Sequence, residues 1–210
     1  MSIHIKICGF TEPEGLAVAI EAGVDSIGLV LDPSPRQLSL EQAVALRAGI
    51  PDSVSLVAVC GRPSQDTVQR IQAELRPDWI QLMADSVPEL TLSCPIIPAF
   101  EDGKDLLDRV QDYRVRVGQD RPLILADGPK PGSGIPADWD RVQALAGTSR
   151  LMIAGGLNPD NVVEAIRRLQ PYGVDVSSGV ERARGVKDPA LIRRFVSAVR
   201  EAESSMGGDQ

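Results

Sequence analysis

Histidine is nearly absent from this sequence: His4 is the only one among 210 residues. That leaves no His pair for a metal centre and no second imidazole for a His-based triad. The cysteines, Cys8, Cys60 and Cys94, are odd in number and lack metal-ligand spacing. Neither a disulfide framework nor a zinc knuckle is indicated, and free thiols are expected. Aromatic residues make up 3% of the chain, too few to offer an obvious stacking partner for an aromatic ligand. Positive charge is in the minority, 22 Lys and Arg against 29 Asp and Glu for a net charge of -7. This balance disfavours nucleic acid or an anionic membrane as the main partner, so an anionic ligand must be held locally. No stretch approaches the roughly 18 uncharged apolar residues of a membrane span. The region after Met1 lacks the basic-then-apolar pattern of a secretory signal, and a cytoplasmic location is expected. Chemistry is left to carboxylates, thiols, lysines and arginines.

Short apolar, β-branched runs alternate with amphipathic stretches through almost the whole chain, with no linker or low-complexity block between them. The runs predict strands over Ile3–Cys8, Ser26–Leu31, Ser55–Val59, Trp79–Leu82, Ile96–Ala99, Leu123–Ala126, Leu151–Ala154 and Gly173–Val176. Helix starts are signalled by Thr11 with Glu14, Ser39 with Gln42, Asn158-Pro159 and Asp188-Pro189. The signal is faintest after Asp85, where a single turn would suffice, and between Lys104 and Val117. Strand–helix alternation demands parallel strands, because parallel neighbours need crossover connections. The rival, an open doubly wound sheet binding a dinucleotide, would carry a Gly-rich turn after its first strand, where this chain reads Cys8-Gly9-Phe10-Thr11. The expected fold is a single-domain (β/α)8 barrel over residues 1–203, with a frayed, flexible tail over 204–210.

In such barrels chemistry sits at the carboxyl ends of the strands, and phosphate binds in the loops after strands seven and eight. Those loops read Ala154-Gly155-Gly156-Leu157-Asn158 and Ser177-Ser178-Gly179-Val180. Glycine and serine also make ordinary tight turns, but both loops in the expected pair point to a phosphate cradle. On strand one the isoleucines occupy one face, so His4, Lys6 and Cys8 point into the barrel, His4 at its closed bottom and Cys8 at its open top. The Lys6 ammonium is expected to lower the Cys8 pKa and make a thiolate base available. Cys60 has a similar position after strand three but no cation beside it, and Cys94 precedes its strand, at the wrong end. Asp127 ends strand six, where partial desolvation would raise its pKa and make it a usable acid. Arg36, expected at the tip of the proline-stiffened loop Asp32-Pro33-Ser34-Pro35-Arg36-Gln37, is suited to a carboxylate or a phosphate.

A base on strand one facing an acid on strand six suits proton transfer on a small phosphorylated sugar, and no cofactor or metal is called for. These residues resemble the phosphoribosylanthranilate isomerase family. The matching motifs are Lys6-Ile7-Cys8-Gly9, Ser34-Pro35-Arg36, Leu125-Ala126-Asp127 with Gly132-Ser133-Gly134, Ala154-Gly155-Gly156-Leu157-Asn158-Pro159, and Val174-Asp175-Val176-Ser177-Ser178-Gly179-Val180-Glu181, spanning nearly the whole chain. The resemblance implies an Amadori rearrangement of N-(5'-phosphoribosyl)anthranilate, an aminoaldose, to the corresponding aminoketose in tryptophan biosynthesis. By that likeness Asp127 protonates the furanose ring oxygen and Cys8 takes the proton from C2' of the sugar. Arg36 would hold the anthranilate carboxylate, and Gly155, Gly156, Ser178 and Gly179 the phosphate. The chain departs from the family at Gln81-Leu82-Met83-Ala84, with Met83 where the family has histidine, and at Ala58-Val59-Cys60-Gly61-Arg62. Two alternatives are a catalytically weakened phosphosugar binder and an isomerase of the histidine pathway. Retention of an acid opposite a base argues against the first, and a thiol where carboxylates are expected argues against the second.

Overall fold

Isoleucine at every second position sets the two faces of β1 (His4–Cys8), because successive side chains on a strand point to opposite sides. Ile5 and Ile7 pack fully buried in the layer beneath the helices, and Lys6 turns the other way, equally buried, into the barrel. In this computed structural model, which describes residues 2–130 and 132–207, eight parallel strands pair in chain order and β8 closes back on β1. The remaining strands of the barrel are β2 (Ser26–Val30), β3 (Ser55–Val59), β4 (Trp79–Met83), β5 (Ile96–Glu101), β6 (Leu123–Asp127), β7 (Arg150–Ile153) and β8 (Gly173–Val176). Each lies within two residues of its expected bounds. The helices are α1 (Pro13–Ala22), α2 (Leu40–Arg47), α3 (Gln65–Arg70), α4 (Leu106–Val117), α5 (Trp139–Gln143), α6 (Val162–Leu169) and α7 (Pro189–Gly207). Between β4 and β5 the chain makes only the 3-10 turn Val87–Glu89, the single turn anticipated after Asp85. A hairpin of β9 (Glu181–Ala183) and β10 (Val186–Lys187) follows β8, and no sequence signal announced it.

Two apolar layers result. Val57, Ile97, Leu125 and Met152 fill the barrel, while Ile27, Leu56, Ile124, Ile166 and Phe195 pack between strands and helices. Each such side chain contributes roughly 1.5–3 kcal/mol through burial. His4 closes the bottom as expected, its Nε2 2.9 Å from Ser26 Oγ and its ring stacked on Tyr172.

The helix starts are mixed. Ser39 and Gln42 form the full capping box of α2, and Asp188 Oδ1 accepts from the Ala190 and Leu191 N–H groups to cap α7. Thr11 does not cap α1. Glu12 takes that position before Pro13, and the Thr11 hydroxyl donates instead to Gly185 O at 2.8 Å, tying the first loop to the β9–β10 hairpin. Asn158 stands three residues before the N-cap of α6, where its Oδ1 accepts from the Asp160 and Asn161 N–H groups. The tail expected from Ser204 is helical as far as Gly207, with the Ser204 hydroxyl bonded back to Arg200 O, and residues 208–210 lie outside the described residues. Among the described residues no helix is long and apolar enough to cross a membrane.

Candidate active site

The inward face of β1 carries Cys8 at its carboxyl end, 7% exposed, with Lys6 one pleat below. Gly28 opposes Cys8 across the β1–β2 register, and a Cβ there would lie 2.8 Å from Sγ, so the small residue on β2 makes room for the thiol. Lys6 Nζ donates to Asp175 Oδ1 on the neighbouring β8 at 2.9 Å, and the ammonium is fully buried. The expected lowering of the Cys8 pKa is overturned. Burial pushes the thiol above its ordinary value, and the pull of Lys6 offsets this only in part because Asp175 shares the ammonium and adds a negative charge. Cys60 points into the helix-facing layer rather than into the barrel, and burial raises its pKa to about 12.

Asp127 ends β6 opposite Glu101 of β5, and its Oδ1 accepts from the Gly128 N–H at 2.7 Å. Burial raises its pKa from 3.8 to about 6, with Asp175 and Glu101 adding to the rise and the Gly128 hydrogen bond and Lys6 opposing it. The direction of this shift is the one expected for a carboxyl at the rim of the core. Asp127 also stands in the wall of two cavities. One, of about 40 Å³, is lined by Asp127, Gly155, Gly156, Asp175, Ser177 and Ser178 among others. The second, of about 130 Å³, is mainly apolar and is lined by Val30, Val59, Gln81, Met83, Phe100 and Asp127 among others.

The small cavity lies between the β6, β7 and β8 loops. Among the described residues, no acceptor takes the N–H groups of Gly156, Ser178 or Gly179. Gly155 has φ +78, and a Cβ there would collide with the Gly128 backbone, so glycine is required for the β6 and β7 loops to close on each other. Gly179 does not line the cavity. It packs on Leu157 O with no room for a side chain and so joins the β8 loop to the β7 loop. Cys8 and Arg36 also stand outside both cavity walls. Cys8 borders the cradle through Ser177, whose hydroxyl donates to Cys8 O at 2.9 Å.

Arg36 is not at an exposed loop tip. The bridge between Val30 and Gln37 folds the loop back along β2 and leaves Arg36 5% exposed. Its Nε and Nη2 donate to the two Glu181 oxygens at 2.6 and 2.9 Å, while Nη1 faces Gly132 in the β6 loop. Lys187 Nζ donates to Glu181 Oε1 at 2.9 Å and to Ser177 O at 3.0 Å. Burial alone would raise the Glu181 pKa, but Arg36 and Lys187 hold it below its ordinary value. One carboxylate between two cations leaves a net positive charge beside Cys8.

Four participants were not assigned from the sequence. Asp175 carried a signal, an acid within an apolar strand at the same parity as Ser177. Glu181 had only its place at the end of the motif that begins at Val174, and Lys187 carried no signal, since a hairpin without a local pattern brings them in. Gln81 had only its inward parity, yet its buried Oε1 has no hydrogen-bond partner among the described residues. No three His, Cys, Asp or Glu side chains among the described residues converge as metal ligands.

A closed parallel barrel with ionisable side chains and a glycine-lined cavity at the carboxyl ends of its strands defines the class, a (β/α)8-barrel enzyme. The family model of N-(5'-phosphoribosyl)anthranilate (PRA) isomerase matches residues 5–198. An N-(5'-phosphoribosyl)anthranilate isomerase from Geotalea uraniireducens is 41% identical over 91% of this chain and 96% of its own. The crystal structure of phosphoribosyl anthranilate isomerase from Thermotoga maritima superposes with a TM-score of 0.84 at 29% identity, covering 95% of this chain and 99% of that one. A phosphoribosyl anthranilate isomerase in complex with reduced 1-(o-carboxyphenylamino)-1-deoxyribulose 5-phosphate superposes with a TM-score of 0.79 at 28% identity, with the same coverage. The chain belongs to the N-(5'-phosphoribosyl)anthranilate isomerase family.

Proposed function

We infer that this protein catalyses the Amadori rearrangement of N-(5'-phosphoribosyl)anthranilate by acid–base catalysis between Asp127 and Cys8. The observation that carries the reading is the place of Asp127 in both walls: it stands between an anion cradle and an apolar cavity of about 130 Å³. A substrate with a phosphate at one end and an aromatic ring at the other presents its ribose to that carboxyl. A dry cavity of about 150 Å³ holds a benzene ring, so the apolar one is of the right order for anthranilate. Met83 and Phe100 give it an apolar wall where much of the family has an imidazole.

The chemistry follows from the sites of charge. Protonated Asp127 gives its proton to the furanose oxygen as the anthranilate nitrogen lone pair expels it, opening the ring to an iminium ion. Cys8 thiolate removes the C2' proton, which the iminium acidifies, and the electron pair moves to form the enolamine. Tautomerisation delivers the ketone at C2' and a methylene at C1', so the oxidation at one carbon balances the reduction at its neighbour within one molecule. Gln81 Oε1, an acceptor without a partner among the described residues, is suited to an N–H or O–H of the bound substrate. Asp127 has its pKa near 6 and Cys8 lies above its ordinary value, so at intermediate pH the prevailing form is thiol with carboxylate. The working pair, thiolate with carboxylic acid, is the tautomer of that form with the same total charge.

The test is incubation of the purified protein with freshly generated phosphoribosylanthranilate while the fall in substrate fluorescence is followed. Turnover well above the spontaneous rate is expected, and none above background would overturn the reading in favour of a phosphosugar binder. If Arg36 holds the anthranilate carboxylate through Nη1, Arg36→Ala raises KM roughly tenfold or more with a smaller change in kcat. Glu181→Gln, which loosens the guanidinium without removing it, shifts KM the same way by less. Steady-state kinetics on the two variants check this, and a loss mainly in kcat would move Arg36 into the chemistry.

A further inference from the structure

A fully buried ammonium and a nearly buried carboxylate inside a barrel need an explanation beyond stability. Desolvation takes back most of the attraction in such a pair, and neutral side chains of similar shape often serve a core as well. Lys6 and Asp175 are such a pair, 2.9 Å apart across β1 and β8 and 0% and 10% exposed at their side chains. Their placement is directional. Lys6 lies one pleat under Cys8 on the same face of β1, whereas Asp175 lines the cradle cavity together with Asp127. We propose that the Lys6–Asp175 ion pair is a positioning device that polarises the acid–base couple, its positive end beneath the base and its negative end beside the acid. This rests on the assignment of Cys8 and Asp127 as that couple.

The sign of the field at each end supports it. At Cys8 the pull of Lys6 downward exceeds the push of Asp175 upward, and at Asp127 the push of Asp175 upward exceeds the pull of Lys6 downward. At each end the charge that shares the strand face or the cavity wall with the group outweighs the other, as a short dipole placed between them requires. The other charges facing these groups are Lys187 and Arg36 at Cys8, and Glu101 at Asp127, with the Gly128 N–H bonded to the latter. The working tautomer is the minor one, so its population depends on the gap between the two pKa values. A gap narrower by one holds about ten times more of it. Lys6 closes the gap from above and Asp175 from below.

Three variants test this through the pH profile of kcat/KM, whose acid limb belongs to Asp127 and whose alkaline limb belongs to Cys8. Asp175→Asn removes an upward push on both groups and moves both limbs down. Lys6→Met removes a downward pull on both and moves both up. The double variant, Lys6→Met with Asp175→Asn, leaves no buried charge unpaired. It is expected to spread the limbs apart while the plateau falls at least about tenfold and affinity for a product analogue stays near that of the parent. A purely structural role lowers the plateau without moving the limbs. Limbs at their parental positions in any folded member of the set would overturn the proposal, and failure of one member to fold leaves the others to decide. Cys8→Ala separates the two levels of the argument. Near-normal turnover in that variant ends the acid–base assignment itself, whereas an inactive Cys8→Ala alongside unmoved limbs ends only the role of the ion pair.

Discussion

Asp127→Asn is expected to stop turnover and at the same time make the protein harder to unfold above about pH 6. The kinetic half follows from the loss of the only proton available to the ring oxygen at this position, which should lower kcat by at least about 10². The stability half follows from linkage. Burial raises the Asp127 pKa from 3.8 to about 6, so the native state holds its proton more tightly than the unfolded chain does. The fold is unaffected by this group at low pH, where both states are protonated, and loses stability as the pH rises from about 4 through about 6. Above that it carries the full cost of a desolvated carboxylate, up to about 3 kcal/mol. Asparagine keeps an oxygen to accept from the Gly128 N–H and carries no charge, so it removes that cost. Urea denaturation at pH 5 and pH 8 measures the effect. A variant no more stable than the parent at pH 8 would show that Asp127 is not strained by burial, and a variant that retains turnover would show that it is not the acid.

Cys8→Ala should lower kcat by about 10² to 10⁴ while leaving affinity for a product analogue close to that of the parent. The thiol lies beneath the opening with Gly28 shaped around it, so its removal leaves a small void and a modest loss of stability, on the order of 1 kcal/mol. The pH dependence of the residual rate is the sharper reading. The parent needs a single proton distributed over the pair, so its kcat/KM declines as the pH falls below about 6. Without the thiol, what remains depends on protonated Asp127 alone and declines as the pH rises through about 6. The slope therefore changes sign between parent and variant. Kinetics from pH 5 to 9 would show it, and an unchanged slope would mean that another group serves as the base.

Period-2 alternation in Ile3–Cys8, the β-branched runs and the Ser39 and Asp188 caps suffice to foretell eight strands within two residues of their bounds, because these signals act locally. The same parity places His4 at the bottom and Cys8 and Asp127 at the mouth. Thr11 shows the limit of local reasoning: its spacing to Glu14 suggests a cap, but the hydroxyl finds Gly185 from a distant hairpin. The error over Lys6 has a similar origin. Its distance from Cys8 along the strand is legible, but the Asp175 carboxylate that engages it comes from the other end of the chain and is brought alongside by closure of the barrel.

The sequence by itself thus determined the barrel, the glycine and serine motifs of its β7 and β8 loops and the placement of Cys8 and Asp127 at the strand ends, since strand parity and loop composition depend on near neighbours. Only the tertiary structure decided the ionisation of that pair and the setting of Arg36. A pKa is fixed by burial and by every charge within a few ångströms, and those come from β5, β8 and the β9–β10 hairpin, elements far from Cys8 and Arg36 in sequence that meet them only after the sheet has closed.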